Sequence, residues 1–319
     1  MALTNFPNGV SSFGAPILGN IFASLAQGGV TPTNSMFFVS SVIGAAGNDG
    51  LSTSAPLATF AQAVAKCTAA KGDVIVLMPG HAETVTSANM AASISGVQVV
   101  GLGTGAQRPT FTFGAAAATV TVSAADVSFQ NCLFVANFAD VVAAFTTTTA
   151  KNLSIDSCEF RDTSSILNFI ATVSTNATNN ASDGLSITNS KRIGDGATAA
   201  TCLVAAAGNI DRLNIQNNYV AHALAGNSGL IYQATTTKVI SNAIINNNMM
   251  NFVGANAATG AILITTAITH SGLLSNNFVF GARAAATAIL VTASSGFKFY
   301  NNYYQTAADK SGILMPANV

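Results

Sequence analysis

The sequence has little charge and no tryptophan, and the shortage of charge narrows its possible partners. Charged residues make up 8% of the 319 residues, and 12 basic residues balance 12 acidic ones, whereas a soluble domain averages about 25% charged residues. A nucleic-acid binder needs a basic surface that neutralises phosphates, so we expect no nucleic-acid partner. So few charges also predict that partners cover much of the surface; the alternative is a monomer solvated by Ser, Thr and Asn.

Long apolar runs are missing as well, although hydrophobic residues make up 50% of the chain. No window reaches the roughly 18 apolar residues of a membrane helix, so no membrane span is expected, and the N-terminal residues lack the pattern of a secretory signal. The cysteines form no CxxC pair and no zinc-type cluster, which predicts no metal site and buried free thiols, made in a reducing compartment. These four residues are Cys67, Cys132, Cys158 and Cys202.

A short pattern recurs seven times between residues 127 and 302: apolar or small, any, apolar, any, and then Asn or once Ser, followed by another small residue. It first appears as Val127-Ser-Phe129-Gln-Asn131-Cys132. The fifth positions are separated by 26, 32, 28, 30, 29 and 25 residues. Such a period is typical of a solenoid, in which each coil stacks on the next. The seven positions are Asn131, Ser157, Asn189, Asn217, Asn247, Asn276 and Asn301.

The repeat predicts an all-β fold, a right-handed parallel β-helix whose stacked coils bury the apolar side chains that one coil cannot bury alone. A second strand follows several repeats, at 229–232, 260–264, 287–291 and 312–315. The recurrent Asn belongs at the sharp turn after the first strand, because Asn tolerates left-handed backbone and stacked Asn side chains can hydrogen-bond along the axis. Cys132 and Cys158 occupy the same slot in consecutive coils, so we expect them to be stacked neighbours without a disulfide.

The pattern divides the chain into a regular β-helix at 126–319, an entry module at 35–125 and an N-terminal arm at 1–34. In the entry module, apolar residues recur at helical spacing after Ser54 and Pro56, which are suited to the N-cap and first turn. This predicts a helix at 55–70 that caps the open end of the solenoid. The helical-spacing residues are Leu57, Phe60, Ala61, Val64 and Cys67.

The arm contains three prolines and several large apolar residues, so we expect a partner to order it rather than solvent to surround it. The apolar residues are Phe6, Phe13, Ile17, Leu18, Ile21 and Phe22.

The stretch from Phe38 to Phe113 resembles the opening of pectate-lyase-like β-helix proteins that are common in phage genomes. The start of the chain is similar to small phage proteins associated with the head. These resemblances imply a bacteriophage virion protein: a capsid decoration or cement protein on the outer capsid surface, made in the host cytoplasm, or a tail spike. They imply a homotrimer that binds the major capsid protein, and we assign that contact to the N-terminal arm. The resembling segments are Asn5-Phe-Pro-Asn-Gly-Val10, Gly47-Asn-Asp-Gly-Leu-Ser52, Pro56-Leu-Ala-Thr-Phe60, Gly72-Asp-Val-Ile-Val76 and Pro79-Gly-His-Ala-Glu-Thr84.

The same superfamily includes polysaccharide lyases and hydrolases, which need clustered carboxylates, about 5–10 Å apart in a glycosidase. The best candidate cluster is Asp156, Glu159 and Asp162, with Lys151 and Arg161 beside it. Asp156 alternates with an inward apolar residue, so it should face outward. We favour a solvated, salt-bridged band, and a glycan site is the alternative.

His81 and Glu83 flank one residue and would share a face of a strand, so they are a second candidate pair. They lie in a segment that resembles a structural part of the entry coils. A glycine-rich stretch at 101–105 has no following Lys-Ser/Thr and predicts no phosphate loop. The sequence therefore predicts a non-enzymatic protein without catalytic residues, cofactor or metal. The alternative is a tail spike that binds or cleaves host polysaccharide.

Overall fold

The computed structural model of the chain is a parallel β-solenoid with three sheets and very little helix. Within the described residues, every strand pairing in these sheets is parallel except the last one. The predicted all-β solenoid is therefore confirmed. The structure describes residues 34–87, 90–194, 202–222, 229–233, 237–252, 262–264, 270–281, 290–291, 296–305 and 312–314, together with a strand pair formed by Ser11–Ser12 and Ala15–Pro16.

Each coil crosses the three sheets in turn. The first sheet contains Met36–Val39, Val74–Leu77, Gln98–Gly101, Ser128–Gln130, Ser154–Asp156, Ser186–Thr188, Asn214–Gln216, Ala243–Asn246, Ser271–Ser275 and Gly296–Tyr300. The second sheet contains Ala82–Val85, Thr110–Phe113, Leu133–Ala136, Glu159–Asp162, Lys191–Ile193, Tyr219–His222, Met249–Phe252, Phe278–Gly281, Asn302–Gln305 and Gly312–Leu314. The third sheet contains Met90–Ala92, Val120–Val122, Val141–Thr147, Phe169–Ser174, Cys202–Ala205, Ile231–Gln233, Ile262–Ile264 and Leu290–Val291. A small extra pairing joins Ile210–Asp211 to Ile240–Ser241.

The core consists of inward side chains that stack in columns, one from each coil. In the first sheet, Val99 pairs with Phe129, which pairs with Ile155, and all three are fully buried. Strands in a sheet lie about 4.8 Å apart, so every column repeats at that distance. Because Val99 and Phe129 are direct partners, the first sheet runs without a break from residues of the predicted entry module into the regular coils.

The seven predicted turn positions all adopt left-handed backbone, with φ between 52° and 58°. Their side chains also hydrogen-bond from coil to coil: the Nδ2 of Asn247 donates to the Oδ1 of Asn217 at 2.8 Å, and Asn217 donates to Asn189 at 3.3 Å. The prediction of a turn with stacked Asn side chains is therefore confirmed. This turn leads from the first sheet into the second.

A second, buried ladder lies one residue after each turn, and the sequence repeat did not predict it. The Oδ1 of Asn248 accepts the backbone N–H of Asn218 at 3.1 Å, and its Nδ2 donates to the carbonyl of Ile215 at 2.9 Å. Asn277 and Asn302 repeat this arrangement in the next coils. The amides thus satisfy backbone groups that the turn leaves without partners in the sheets.

Cys132 and Cys158 occupy the same slot as this ladder in earlier coils. Both are buried and free of disulfides, as predicted. The pKa of the Cys132 thiol is well above its ordinary value because of its hydrogen bond with Cys158 and its burial. Ser190 holds the slot between them and the Asn residues, and its hydroxyl accepts the N–H of Cys158 at 3.1 Å.

The predicted helix at 55–70 is wrong in its bounds. The helix spans only Phe60–Val64, and its N-cap is Thr59, which forms a capping box with Gln62. Ser54 and Pro56 precede the helix instead of starting it, because the segment before Thr59 pairs with the first sheet: Leu57 forms a parallel bridge with Val39. Phe60 lies in the core against Phe111 and Phe129, at centroid distances of 6.2 and 6.0 Å.

One other strand prediction needs correction. The stretch at 312–315 is not the second strand of another coil, because Gly312–Leu314 pairs antiparallel with Asn302–Gln305 and ends the second sheet. In the regular coils, the strands of the second sheet begin directly after each turn, and the sequence repeat does not predict them. The other second strands fall in the third sheet, at Ile231–Gln233, Ile262–Ile264 and Leu290–Val291. The predicted arm lies outside the described residues, apart from Ser11–Ser12, Ala15–Pro16 and residue 34.

Candidate functional site

The predicted acidic group is divided by the fold among three environments. Asp156 ends a strand of the first sheet, whereas Glu159 and Asp162 lie on one strand of the second sheet. On that strand, the side chain of Asp162 turns into the solenoid. Lys151 is exposed in the preceding turn. The three carboxylates therefore do not converge on one surface.

Glu159 lies between two guanidinium groups on the outer face of the second sheet. Its Oε2 is 3.1 Å from the Nη1 of Arg108, and its Oε1 pairs with Arg161. The Nε of Arg108 also donates to the Oδ1 of Asn131 at 3.1 Å, which ties this group to the turn. Both arginines and the glutamate line a surface cavity of about 430 Å³, together with Gly105, Ala106, Thr110 and Leu133.

Asp156 faces outward, as predicted, and its carboxylate is a hydrogen-bond acceptor for the next coil. Its Oδ1 accepts from the hydroxyl of Thr188 at 2.6 Å and from the Nδ2 of Asn189 at 2.7 Å. Partial burial opposes ionisation, but the hydrogen bonds from Thr188, Asn189 and Ser157 outweigh it and hold the pKa of Asp156 below its usual range. A carboxylate held ionised in this way joins coils and is poorly suited to act as a general acid near neutral pH.

Asp162 forms an ion pair with Arg192 inside the solenoid. The Nη1 of Arg192 lies 2.8 Å from one carboxylate oxygen and Nη2 lies 3.0 Å from the other, while both side chains have 0% exposure. Arg192 also donates to the carbonyl of Phe169 at 3.1 Å, and its guanidinium lies 5.8 Å from the centre of that ring. The bidentate pairing keeps both charges compensated where water cannot reach them.

The sequence analysis did not single out Arg192, although the repeat contains the signal. Phe134 and Phe160 come three residues after the turn positions Asn131 and Ser157, and both point inward. Arg192 comes three residues after Asn189 and pairs directly with Phe160 in the sheet. The spacing therefore places a charged residue at a core position, and a buried charge requires a buried partner.

His81 and Glu83 do lie together, as predicted, with 3.4 Å between the Nε2 of His81 and the Oε2 of Glu83. The Nδ1 of His81 accepts the backbone N–H of Ser41 at 3.1 Å, and the Oε2 of Glu83 accepts the N–H of Phe60 at 2.9 Å. The imidazole is fully buried. These contacts join the second sheet to the turn after the first strand, through His81, and to the start of the helix, through Glu83, which fits the structural interpretation of the pair.

The C-terminal coils expose apolar side chains on the outer faces of the first and second sheets. Met249 is 43% exposed, and Tyr300, at the end of the first sheet, is 70% exposed. On the second sheet, Phe278 stacks on Tyr303 with ring centroids 5.2 Å apart. Ile244 and Leu273 are exposed on the same coils, on the first sheet.

Within the described ranges, no three His, Cys, Asp or Glu side chains are grouped to hold a metal ion. The helices in the same ranges include none that is long and apolar enough to cross a membrane.

No protein-family model matches the sequence, and no curated protein matches it. Among solved structures, the chain is similar to a rhamnogalacturonan lyase, with a TM-score of 0.47 and 11% identity over 88% of this chain and 90% of that chain. At this score and identity, the similarity says nothing about the activity of the present chain.

Proposed function

We propose that this protein is a structural component of a bacteriophage particle. In this proposal it is a decoration or cement protein that binds the outer capsid surface as a homotrimer and contacts the major capsid protein through the N-terminal arm. The phage assignment comes from the resemblance of residues 38–113 and of the first residues. A solenoid suits this task because its rigid coils present long, regular faces to neighbouring proteins.

The observation that carries the proposal is the outward apolar column of the second sheet in the C-terminal coils, in which Met249 is exposed and Phe278 and Tyr303 are partly buried. Met249, Phe278 and Tyr303 form one outward column in the second sheet, each the direct partner of the next. Large apolar patches on a soluble protein mark interfaces with other proteins, and a chain with 8% charged residues has few charges to keep such a face in solution.

The contacts of the candidate acidic group give further support. Glu159 is paired with two arginines, Asp162 with Arg192, and Asp156 accepts hydrogen bonds from the next coil. These charged groups connect neighbouring coils, so their contacts stabilise the solenoid.

The test is to image purified particles and locate the chain in them. Density on the capsid lattice, with three copies at each position, is the expected result. Density at the tail tip, or cleavage of a host polysaccharide by the purified protein, would contradict the proposal. The mass of the isolated protein in solution tests the trimer separately, and a stable monomer would contradict that part.

A second candidate function is a tail spike or receptor-binding protein that binds or cleaves host polysaccharide. The cavity beside Glu159 favours it, because it joins a carboxylate and two arginines in a surface depression. Replacing Glu159 with Gln should then reduce polysaccharide binding or cleavage, while Glu83→Gln, outside the cavity lining, should leave it unchanged. Equal binding by the wild type and both variants would exclude the cavity as the binding site.

A further inference from the structure

The first two strands of the first sheet are apolar on both faces, and the third adds Val100 to the outer face. Phe37, Val39, Ile75 and Leu77 belong to the central core, but the residues that alternate with them point outward and form a separate cluster. We call this set the outer cluster. Its buried members are Phe38, Val74 and Val76, and its partly buried members are Met36, Met78, Val100 and Leu102.

The buried members of the outer cluster have almost no contact with solvent. Phe38 is 7% exposed, and Val74 and Val76 are each 2% exposed. Neighbouring side chains on the same sheet face cover only the flanks of a residue, so burial of this kind requires a second layer over the face. The outer face farther along the sheet needs no such layer, because it is polar: Gln130 and Asp156 follow Val100 in the same column.

The loop at 40–56, which follows the first strand, contributes none of its large apolar side chains to such a layer. Its large apolar side chains, Val42, Ile43 and Leu51, are all more than half exposed. Leu57, in the same region, belongs to the central core on the other side of the strands.

We propose that residues 13–25 of the same chain pack against the outer cluster. This segment carries Phe13, Ile17, Leu18, Ile21, Phe22 and Leu25 and no charged residue, which matches an apolar face. It also ends close to that face, since residue 36 already belongs to the cluster. Nine residues from 25 to 34 can span roughly 30 Å, whereas three strands are only about 10 Å across.

Packing of residues 13–25 on the solenoid does not depend on the proposed function, but it would narrow the proposed contact with the capsid protein, which involves the arm as a whole. If residues 13–25 are held on their own solenoid, the contact with the capsid is left to residues 1–12 and to the outer side of the packed segment. The first strands would then present the arm in a fixed place.

Photo-crosslinking in the isolated full-length chain tests the proposal. A benzophenone amino acid at Val100 should yield a crosslink within one chain, to a peptide from residues 13–25. The matched control is the same amino acid at Gln216, in the same column of the first sheet but four strands away, roughly 19 Å; it should yield no such product. Crosslinks from Val100 to a second copy, to another segment or to nothing would overturn the proposal. Because no particle is involved, this result is independent of the imaging experiment.

Oxidation of native methionines gives a second measurement. In a variant with Ile17→Asp and Ile21→Asp, Met36 and Met78 should oxidise several-fold faster than in the wild type. Met249 and Met250 provide internal references, since the first is exposed and the second is buried in distant coils. Unchanged oxidation of Met36 and Met78, or an equal increase at Met250 that reports general unfolding, would count against the packed segment.

Discussion

The N-terminal and C-terminal coils fill the same fold with opposite arrangements of aromatic and polar side chains. In the N-terminal coils, Phe111, Phe134 and Phe160 stack inside, with centroids 5.6 and 5.1 Å apart. The same column continues with Arg192 and then with Val220 and Met250. In the C-terminal coils the stacked rings of Phe278 and Tyr303 are outside, and the buried Asn ladder lies inside.

This comparison shows that a single backbone register is maintained by two different interactions. Apolar stacking favours burial but tolerates a shift of a ring by a few tenths of an ångström, since it is not directional. The Asn ladder is directional, because each amide must meet one N–H and one carbonyl of neighbouring coils. We infer that the aromatic coils supply more of the apolar stability and that the Asn coils define register more strictly. Arg192 marks the boundary between them.

The largest effect should come from breaking the buried ion pair at that boundary. Asp162→Ala leaves the Arg192 guanidinium buried without its carboxylate, so we expect a loss of about 3–5 kcal/mol in the free energy of unfolding. Combining Asp162→Leu with Arg192→Phe should recover most of the stability, because it extends the phenylalanine column by one coil. Urea denaturation measures the free energy of unfolding of the single and the double variant. The pair of Glu159 and Arg161 is the control: the Arg161 side chain is half exposed, so Arg161→Ala should cost less than about 1 kcal/mol. Equal losses at the two sites would contradict the role of burial.

The next largest effect should distinguish Asn from Cys at the position one residue after the turn, where the C-terminal coils have the buried Asn ladder and two N-terminal coils have Cys132 and Cys158. Asn248→Leu deprives the N–H of Asn218 and the carbonyl of Ile215 of their partners, and each unsatisfied buried group costs about 1–3 kcal/mol. We therefore expect a loss of about 3 kcal/mol. At the equivalent slot in the aromatic coils, Cys158→Ala removes one small buried group and should cost about 1 kcal/mol. Hydrogen exchange of the Asn218 amide checks the mechanism, since its protection should fall only in the Asn248 variant.

Replacing the turn Asn with glycine should reduce the stability by different amounts in the N-terminal and C-terminal coils. Asn247→Ala should cost about 1 kcal/mol, because alanine is strained in the left-handed conformation. Glycine has no such strain, so Asn247→Gly should reduce the stability less than Asn247→Ala. Asn131 has additional contacts, because its Nδ2 donates to the carbonyls of Gly101 and Gly103. Asn131→Gly should therefore cost more than Asn247→Gly. Thermal unfolding of the variants tests this order, and equal midpoints for the two glycine variants would show that the extra contacts contribute nothing.

The sequence alone predicts the repeat and its turns because both depend on local chemistry. Left-handed backbone favours Asn wherever it occurs, so the seven turn positions are visible in the sequence. The predicted helix begins too early because Pro56 and Leu57 have the sequence pattern of a helix start. In the structure Leu57 pairs with Val39, in a strand 18 residues away, and no local pattern indicates that pairing.

The candidate site was harder to predict because it depends on which face each residue takes. Asp156 could be assigned to the outer face, since it alternates with Ile155. Asp162 lies beyond the turn, and its inward direction depends on the strand that begins there, which the repeat as recognised in the sequence does not include. The contact of Glu159 with Arg108 joins residues 51 positions apart, and no local pattern predicts it.

The smallest effect should be a pH dependence at the turn between the first and second sheets, where the acceptor of the outer hydrogen bonds differs between the two regions. Asp156 accepts from Thr188 and Asn189 of the next coil, and Asn246 accepts from Ser275 and Asn276 in the same geometry. One acceptor is a carboxylate and the other a neutral amide, so only the first can be titrated.

Because the pKa of Asp156 is lowered in the folded chain, its contribution to stability is present above the ordinary carboxyl pKa of about 3.9 and disappears as the pH falls through the folded value. Asp156→Asn should therefore lower the unfolding temperature slightly at pH 7, where charge-assisted hydrogen bonds are lost, and should have no effect once the pH lies below the folded value. The reciprocal variant, Asn246→Asp, should acquire the same dependence on pH. If its unfolding temperature follows that of the wild type across the titration, the two regions differ in more than the charge of this acceptor.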